Sequence, residues 1–173
     1  MWARKRIDVS WTDLAFGATR CLLPASRRLA AQRVETHWSA AGDAFASLSV
    51  RTAFDLLLAA LELPRGSEVL VSAVTIRDMT RIIEEHGLVP VAVELDAATM
   101  APDLDRLEQA VTPATRAILV AHLFGGRIDL GPLVELAAEH DLLVIEDCAQ
   151  AYAGPEFTGN PAAVASMFSF GPI

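Results

Sequence analysis

The chain has 173 residues, 53% of them hydrophobic and 21% charged, with 14 Lys+Arg against 22 Asp+Glu. That length buries one sizeable core, and the composition excludes a disordered chain; no apolar run reaches the roughly 18 residues that a membrane helix needs. A formal charge of -8 argues against non-specific nucleic-acid binding, because phosphates reward clustered cations.

The two cysteines, Cys21 and Cys148, are too few for a disulfide framework and suit a reducing compartment, so a cytoplasmic location is expected. The opening MWARKRIDVSWTDL carries a basic cluster with no following apolar stretch of signal-peptide length. Residues 1–43 read as a helical lead-in. Pro24 suits a first helical turn, and Leu29, Arg33 and the Val34–Trp38 pair fall at helical spacing.

From about residue 44 the pattern changes to short apolar runs alternating with helical stretches. Strands are predicted at 44–50, 68–73, 89–95, 116–122 and 142–146, with a weaker sixth at 166–170. Helical patterns lie between them at 52–61, 78–86, 103–110 and 130–140. Runs such as AILVAHL and LLVIED are apolar almost throughout, as strands of a parallel sheet covered on both faces are. Gly87, after a helix ending in His86, reads as a C-terminal cap. The expected architecture is α/β: a mostly parallel sheet with helices on both faces, behind the helical lead-in.

In such sheets ligands bind beyond the carboxyl ends of the strands. Those ends carry Ser49-Val50-Arg51-Thr52, Ser72-Ala73-Val74-Thr75, His122-Leu123-Phe124-Gly125, Glu146-Asp147-Cys148-Ala149-Gln150, and Phe168-Ser169-Phe170-Gly171. The Glu146-Asp147 pair fits three roles: holding a metal, pairing with a ring nitrogen, or capping the next helix. No cluster with metal-ligand spacing surrounds it in the sequence, so no metal is expected. Cys148 next to two acids is a poor candidate for a stabilised thiolate and reads as a small core residue. His122 is open between an acid–base or stacking role and a structural one. Neither Gly125-Gly126-Arg127 nor any other stretch matches a dinucleotide fingerprint or a Walker lysine motif.

The stretch LLVIEDCAQAYAGPEFTGNPAAVASMFSFGPI resembles the central block of the DegT/DnrJ/StrS aminotransferases, a sugar-aminotransferase branch of the fold-type I pyridoxal-phosphate enzymes. Upstream, RTAFDLLLAALELPRGSEVLVSAVT resembles the family's phosphate-loop helix and next strand, and the likeness runs from about residue 45 to 173. It implies that residues 44–173 are part of a pyridoxal-phosphate-binding large domain. By the resemblance, Asp147 pairs with the pyridine nitrogen, Gln150 lies near the phenolic oxygen, and Ser169 contacts the phosphate. Arg51 and Thr52 stand at the phosphate-loop helix, where Val50-Arg51 replaces the family's Gly-Thr. Ile76 takes the position that often carries a ring stacked on the cofactor.

The family's Schiff-base lysine follows the stretch matched by FSFGPI, so the resemblance implies a lysine directly after Ile173 and no catalytic residue within this chain. The chain is expected to be the N-terminal part of a longer enzyme and to be inactive alone. The whole enzyme would move an amino group from a glutamate-like amino acid to a nucleotide-linked keto sugar, acting as a homodimer. The alternatives are an inactive truncated scaffold and a fold-type I lyase or dehydratase.

Overall fold

The structure, a computed structural model, describes residues 10–22, 26–152 and 156–170. Pro24, expected in a first helical turn, and Ile173, expected to precede the Schiff-base lysine, both lie outside the described residues. The chain divides into two compact units, with the boundary between Ala46 and Ser47.

The first unit holds α1 (Trp11–Leu22) and α2 (Arg27–Trp38). Ser10 opens α1: its hydroxyl accepts the Asp13 N–H at 3.2 Å, while the Asp13 carboxylate accepts the Ser10 N–H at 2.9 Å. This reciprocal pairing satisfies two backbone donors at the helix start. Ser26 caps α2 by accepting the Leu29 N–H. Neither helix has a buried residue.

The strand expected at 44–50 is absent. Residues 44–49 join no sheet, with Phe45 69% and Leu48 93% exposed, and Val50 already belongs to a helix. The Ser49 hydroxyl accepts the Thr52 N–H at 3.2 Å, so the chain turns into α3 (Val50–Leu61). A capping serine has overridden the strand-like alternation of AFASLSV.

The second unit is a five-stranded, all-parallel sheet in the order β2-β1-β3-β4-β5. Its strands are β1 (Glu68–Ser72), β2 (Val89–Val93), β3 (Thr115–Ala121), β4 (Leu143–Cys148) and β5 (Ala165–Phe168). Helices α4 (Arg77–Glu85), α5 (Leu104–Ala110) and α6 (Gly131–Glu139) join β1 through β4. The other five expected strands are therefore present, with ends moved by up to a few residues. The chain steps from β1 outward to β2, then returns to β3 and continues the other way. That reversal between β1 and β3 is a topological switch point, whose carboxyl side is where open α/β sheets bind ligands.

Strand alternation assigns the two faces. Val69, Val71, Ala117, Leu119, Ile145 and Met167 pack with Phe54 and Leu58 of α3 and with Met79 and Ile83 of α4. Leu70, Val93, Ile118, Val120 and Val144 pack on the other side with Leu107 of α5 and with Leu133 and Ala137 of α6. Both faces are covered, which is why these strands read as continuous apolar runs. Gly87 closes α4 with φ +73°, its N–H reaching the Glu84 carbonyl at 2.8 Å and that of Leu88 reaching Ile83 at 3.1 Å. This is a Schellman end, and it needs a left-handed residue.

Candidate functional site

The carboxyl end of β4 divides its residues between the two faces. Ile145 belongs to the α3/α4 side, so Asp147 shares that side, while Glu146 and Cys148 share the α5/α6 side with Val144.

Asp147 is only half enclosed by partners. One carboxylate oxygen accepts the Ala149 N–H at 2.9 Å. The other has no hydrogen-bond partner among the described residues. Burial pushes its carboxyl above the usual aspartate range, and the Ala149 N–H does not bring it back. A carboxylate in that condition favours a cationic N–H donor placed against its open oxygen.

Glu146 is the opposite case. It is 1% exposed, yet it accepts from His122 Nε2 at 2.7 Å, from the Asn160 N–H at 2.7 Å, and from the Ser166 hydroxyl. Burial alone would raise its carboxyl, but those three donors outweigh it and hold the group below the ordinary glutamate range. The second nitrogen of His122, Nδ1, accepts the Ile128 N–H at 3.1 Å. The ring proton is thereby placed on Nε2, where it is donated to Glu146.

Cys148 is fully buried, and burial together with the Glu146 and Asp147 charges drives its thiol far up. It is a packing residue with no nucleophilic character. Ligand atoms of His122, Glu146 and Cys148 lie within 4.8 Å of one another, a cluster invisible in sequence spacing. Its donors are engaged by protein partners: the carboxylate receives His122, the Asn160 N–H and the Ser166 hydroxyl, and His122 Nδ1 accepts the Ile128 N–H.

The remaining expected residues line the same edge. The Gln150 Oε1 accepts the Phe124 N–H at 2.9 Å, which ties the end of β4 to the loop after β3 and fixes which way the amide faces. That loop turns sharply, through Phe124 at φ +57° and Gly125 at φ +81°. Ser169 follows β5, two residues beyond Met167, the register partner of Asp147. The position expected for the Schiff-base lysine, directly after Ile173, lies outside the described residues. Arg51 and Thr52 occupy the first turn of α3. The Arg51 guanidinium lies 3.5 Å from Asp78 of α4, both half-exposed, and the Thr52 N–H is taken by Ser49. The N–H groups of Val50 and Arg51 remain at the open helix end, where anions are favoured. Ile76, at the N-cap of α4, is 50% exposed. Sequence spacing did not reveal the His122–Glu146 pair or the contacts of Asn160 and Ser166 with it.

Comparison with known proteins places this arrangement. The DegT/DnrJ/EryC1/StrS aminotransferase family matches residues 32–173. The chain is 41% identical over 105 residues to L-glutamine:2-deoxy-scyllo-inosose aminotransferase of Streptomyces kanamyceticus, covering 61% of this chain and 24% of that protein. It is 39% identical over 109 residues to GDP-perosamine synthase of Caulobacter vibrioides, covering 63% and 29%. The chain thus spans under a third of the length of these relatives. Among solved structures, DesV of S. venezuelae, in complex with a ketimine intermediate, superposes with a TM-score of 0.56 at 38% identity, covering 60% of this chain and 28% of that one. The Bacillus subtilis protein NtdA, with bound cofactor PMP, superposes at 0.56 and 34% identity, covering 59% and 23%. The family match over residues 32–173 and the superposed relatives agree: this chain belongs to the DegT/DnrJ/EryC1/StrS aminotransferase family, whose cofactor is pyridoxal phosphate.

Proposed function

We propose that the carboxyl edge of this sheet holds pyridoxal phosphate in a sugar aminotransferase. The observation that carries the reading is Asp147, a partly buried carboxylate with one open oxygen on the α3/α4 face. The residues fit the group. Asp147 would face the ring nitrogen and hold a proton there; the open end of α3, with Thr52, Arg51 and Ser169, would take the phosphate. The Gln150 amide, its oxygen held by Phe124, would turn its NH₂ toward the phenolic oxygen. Ile76 would cover a ring face with an aliphatic surface in place of an aromatic one. The cofactor supplies an electron sink for the substrate's Cα–H bond, and the charge of Asp147 keeps that sink effective.

For the whole protein, the amino donor is a glutamate-like amino acid and the acceptor a keto sugar carried on a nucleotide. The names of relatives such as L-glutamine:2-deoxy-scyllo-inosose aminotransferase and dTDP-3-amino-3,6-dideoxy-alpha-D-galactopyranose transaminase support amino-group transfer of this kind. A second reading has its own support. A GDP-4-keto-6-deoxymannose-3-dehydratase with bound GDP-perosamine superposes as well as the aminotransferases do, with a TM-score of 0.56 at 29% identity. Incubating the whole protein with pyridoxal phosphate, glutamate and a nucleotide keto sugar separates the two. Transamination adds an amino group to the sugar and yields 2-oxoglutarate; dehydration removes water. A product lacking new nitrogen would reject the aminotransferase reading.

A further inference from the structure

We propose that Glu146 and His122 are positioning residues, gripping from the α5/α6 face the three strand ends whose opposite side presents the cofactor contacts. This rests on the cofactor reading above. The geometry is specific to that task. One buried carboxylate on β4 receives His122 at the end of β3, Ser166 on β5, and the Asn160 N–H from the β4–β5 loop. His122 in turn receives the Ile128 N–H from the loop entering α6. Each gripped segment bears or orients one expected contact. β4 carries Asp147, β5 runs into Ser169, and the loop after β3 supplies the Phe124 N–H that orients Gln150.

The approach is close enough to exclude other residues in the loop. At Gly159, φ is +102°, and a Cβ there would lie 2.1 Å from the Ser166 hydroxyl oxygen and 2.9 Å from Glu146 Oε2. The His122 ring also meets Phe157 edge-on, with centroids 5.9 Å apart, which seats the loop from its other end. A carboxylate has capacity for these donors and cannot donate in return, so every bond pulls the strand ends toward one point. Asp147 is the next residue along the same backbone. A loosened Glu146 therefore moves the acid on the other face, though the two side chains never touch the same ligand.

The test uses the full chain and pyridoxamine 5′-phosphate labelled with ¹⁵N in its ring, a probe that needs no lysine. Affinity is read by fluorescence and the protonation of the ring nitrogen by its ¹⁵N resonance. Glu146→Gln and Ser166→Ala should each weaken binding by about ten-fold, the order expected when a hydrogen bond to a buried charge is lost. Each should also move the ring resonance toward the unprotonated position. Leu133→Ala, a core truncation on the same face, should lower stability while leaving the resonance unchanged. Wild-type affinity and resonance in Ser166→Ala, or the same spectral change in Leu133→Ala, would overturn the positioning role. If Glu146→Gln does not fold, Ser166→Ala decides alone. Failure of the cofactor reading looks different: Asp147→Asn would then leave the ring nitrogen as it is in the wild type, or the wild type would not bind the probe.

Discussion

Glu146 and Asp147 are neighbours on one strand, and the two faces of the sheet give them opposite chemistry. On the α5/α6 face, Glu146 is 1% exposed yet held below the ordinary glutamate range by three donors. On the α3/α4 face, Asp147 has one backbone donor and is pushed upward by burial. Three donors offset the burial of Glu146, and one does not offset that of Asp147. The satisfied acid reads as structure, and the under-satisfied one reads as a place prepared for a ligand.

The sharpest way to break this comparison is Asp147→Asn. In the whole protein, turnover should fall by about a thousand-fold, in the upper range for removing one preorganised electrostatic contact. Cys148→Ala should leave turnover within a few-fold. Steady-state kinetics on the two variants, with circular dichroism as the folding check, decides it. The same Asp147→Asn change should raise the melting temperature of the ligand-free chain. Because the folded carboxyl lies above its unfolded range, the charged form is penalised in the fold. That handicap is absent below the unfolded aspartate range and grows as pH rises through the folded value. Asparagine removes it while keeping an oxygen for the Ala149 N–H. Equal melting temperatures at neutral pH would mean that Asp147 is not held at a cost.

The next effect tests the satisfied side. Gly159→Ala places a Cβ 2.1 Å from the Ser166 hydroxyl oxygen in a residue at φ +102°, so either the loop or the Glu146 grip must give way. A loss of about 3 kcal/mol is expected from backbone strain and overpacking together. Urea unfolding measures it, and a loss below about 1 kcal/mol would show that the loop moves freely.

Glu146→Gln should cost about 2 kcal/mol at neutral pH, since the amide retains one acceptor but turns donors toward Asn160 and Ser166. The pH dependence has the opposite sign to that of Asp147. A folded carboxyl below its unfolded range contributes stability above that range and loses it as pH falls through the folded value. The gap between wild type and Glu146→Gln should therefore be widest near neutrality and close on acidification. A gap constant from neutral pH down to strongly acidic pH would sink the charge argument.

The legibility of the two faces differs as well. The strands β1 to β5 and the helices α3 to α6 could be read because parallel strands covered on both sides are apolar without interruption. Asp147, Gln150 and Ser169 could be placed at one edge because each closes or follows such a run. The expected strand at 44–50 failed because AFASLSV alternates like a strand, whereas Ser49 followed by Thr52 was a capping signal of equal strength. The Glu146–His122 pair could not be read from spacing. It joins residues 24 apart and exists only because Ala121 and Asp147 are register partners on adjacent strands. Gly159 and Asn160 looked like ordinary loop residues, since their reason is a carboxylate that arrives from elsewhere in the fold.

The smallest effect concerns Ser72, a second buried polar group short of hydrogen-bond partners. Alternation puts its side chain on the same face as Leu70, at the end of β1. It is 3% exposed, and its hydroxyl oxygen has no hydrogen-bond partner among the described residues. A buried hydroxyl without a partner keeps its desolvation cost and returns nothing. Ser72→Ala removes that group and opens a space of about one oxygen atom, too small to offset the gain. The ligand-free chain should gain about 1 kcal/mol, read from the urea midpoint at constant m-value. Val71, its neighbour on β1, and Val93, its register partner on β2, should keep their amide exchange protection, since no backbone bond is altered. A loss of stability would show that the hydroxyl is satisfied in solution, most simply by a buried water. The rule separating Glu146 from Asp147 would then need water counted among the donors.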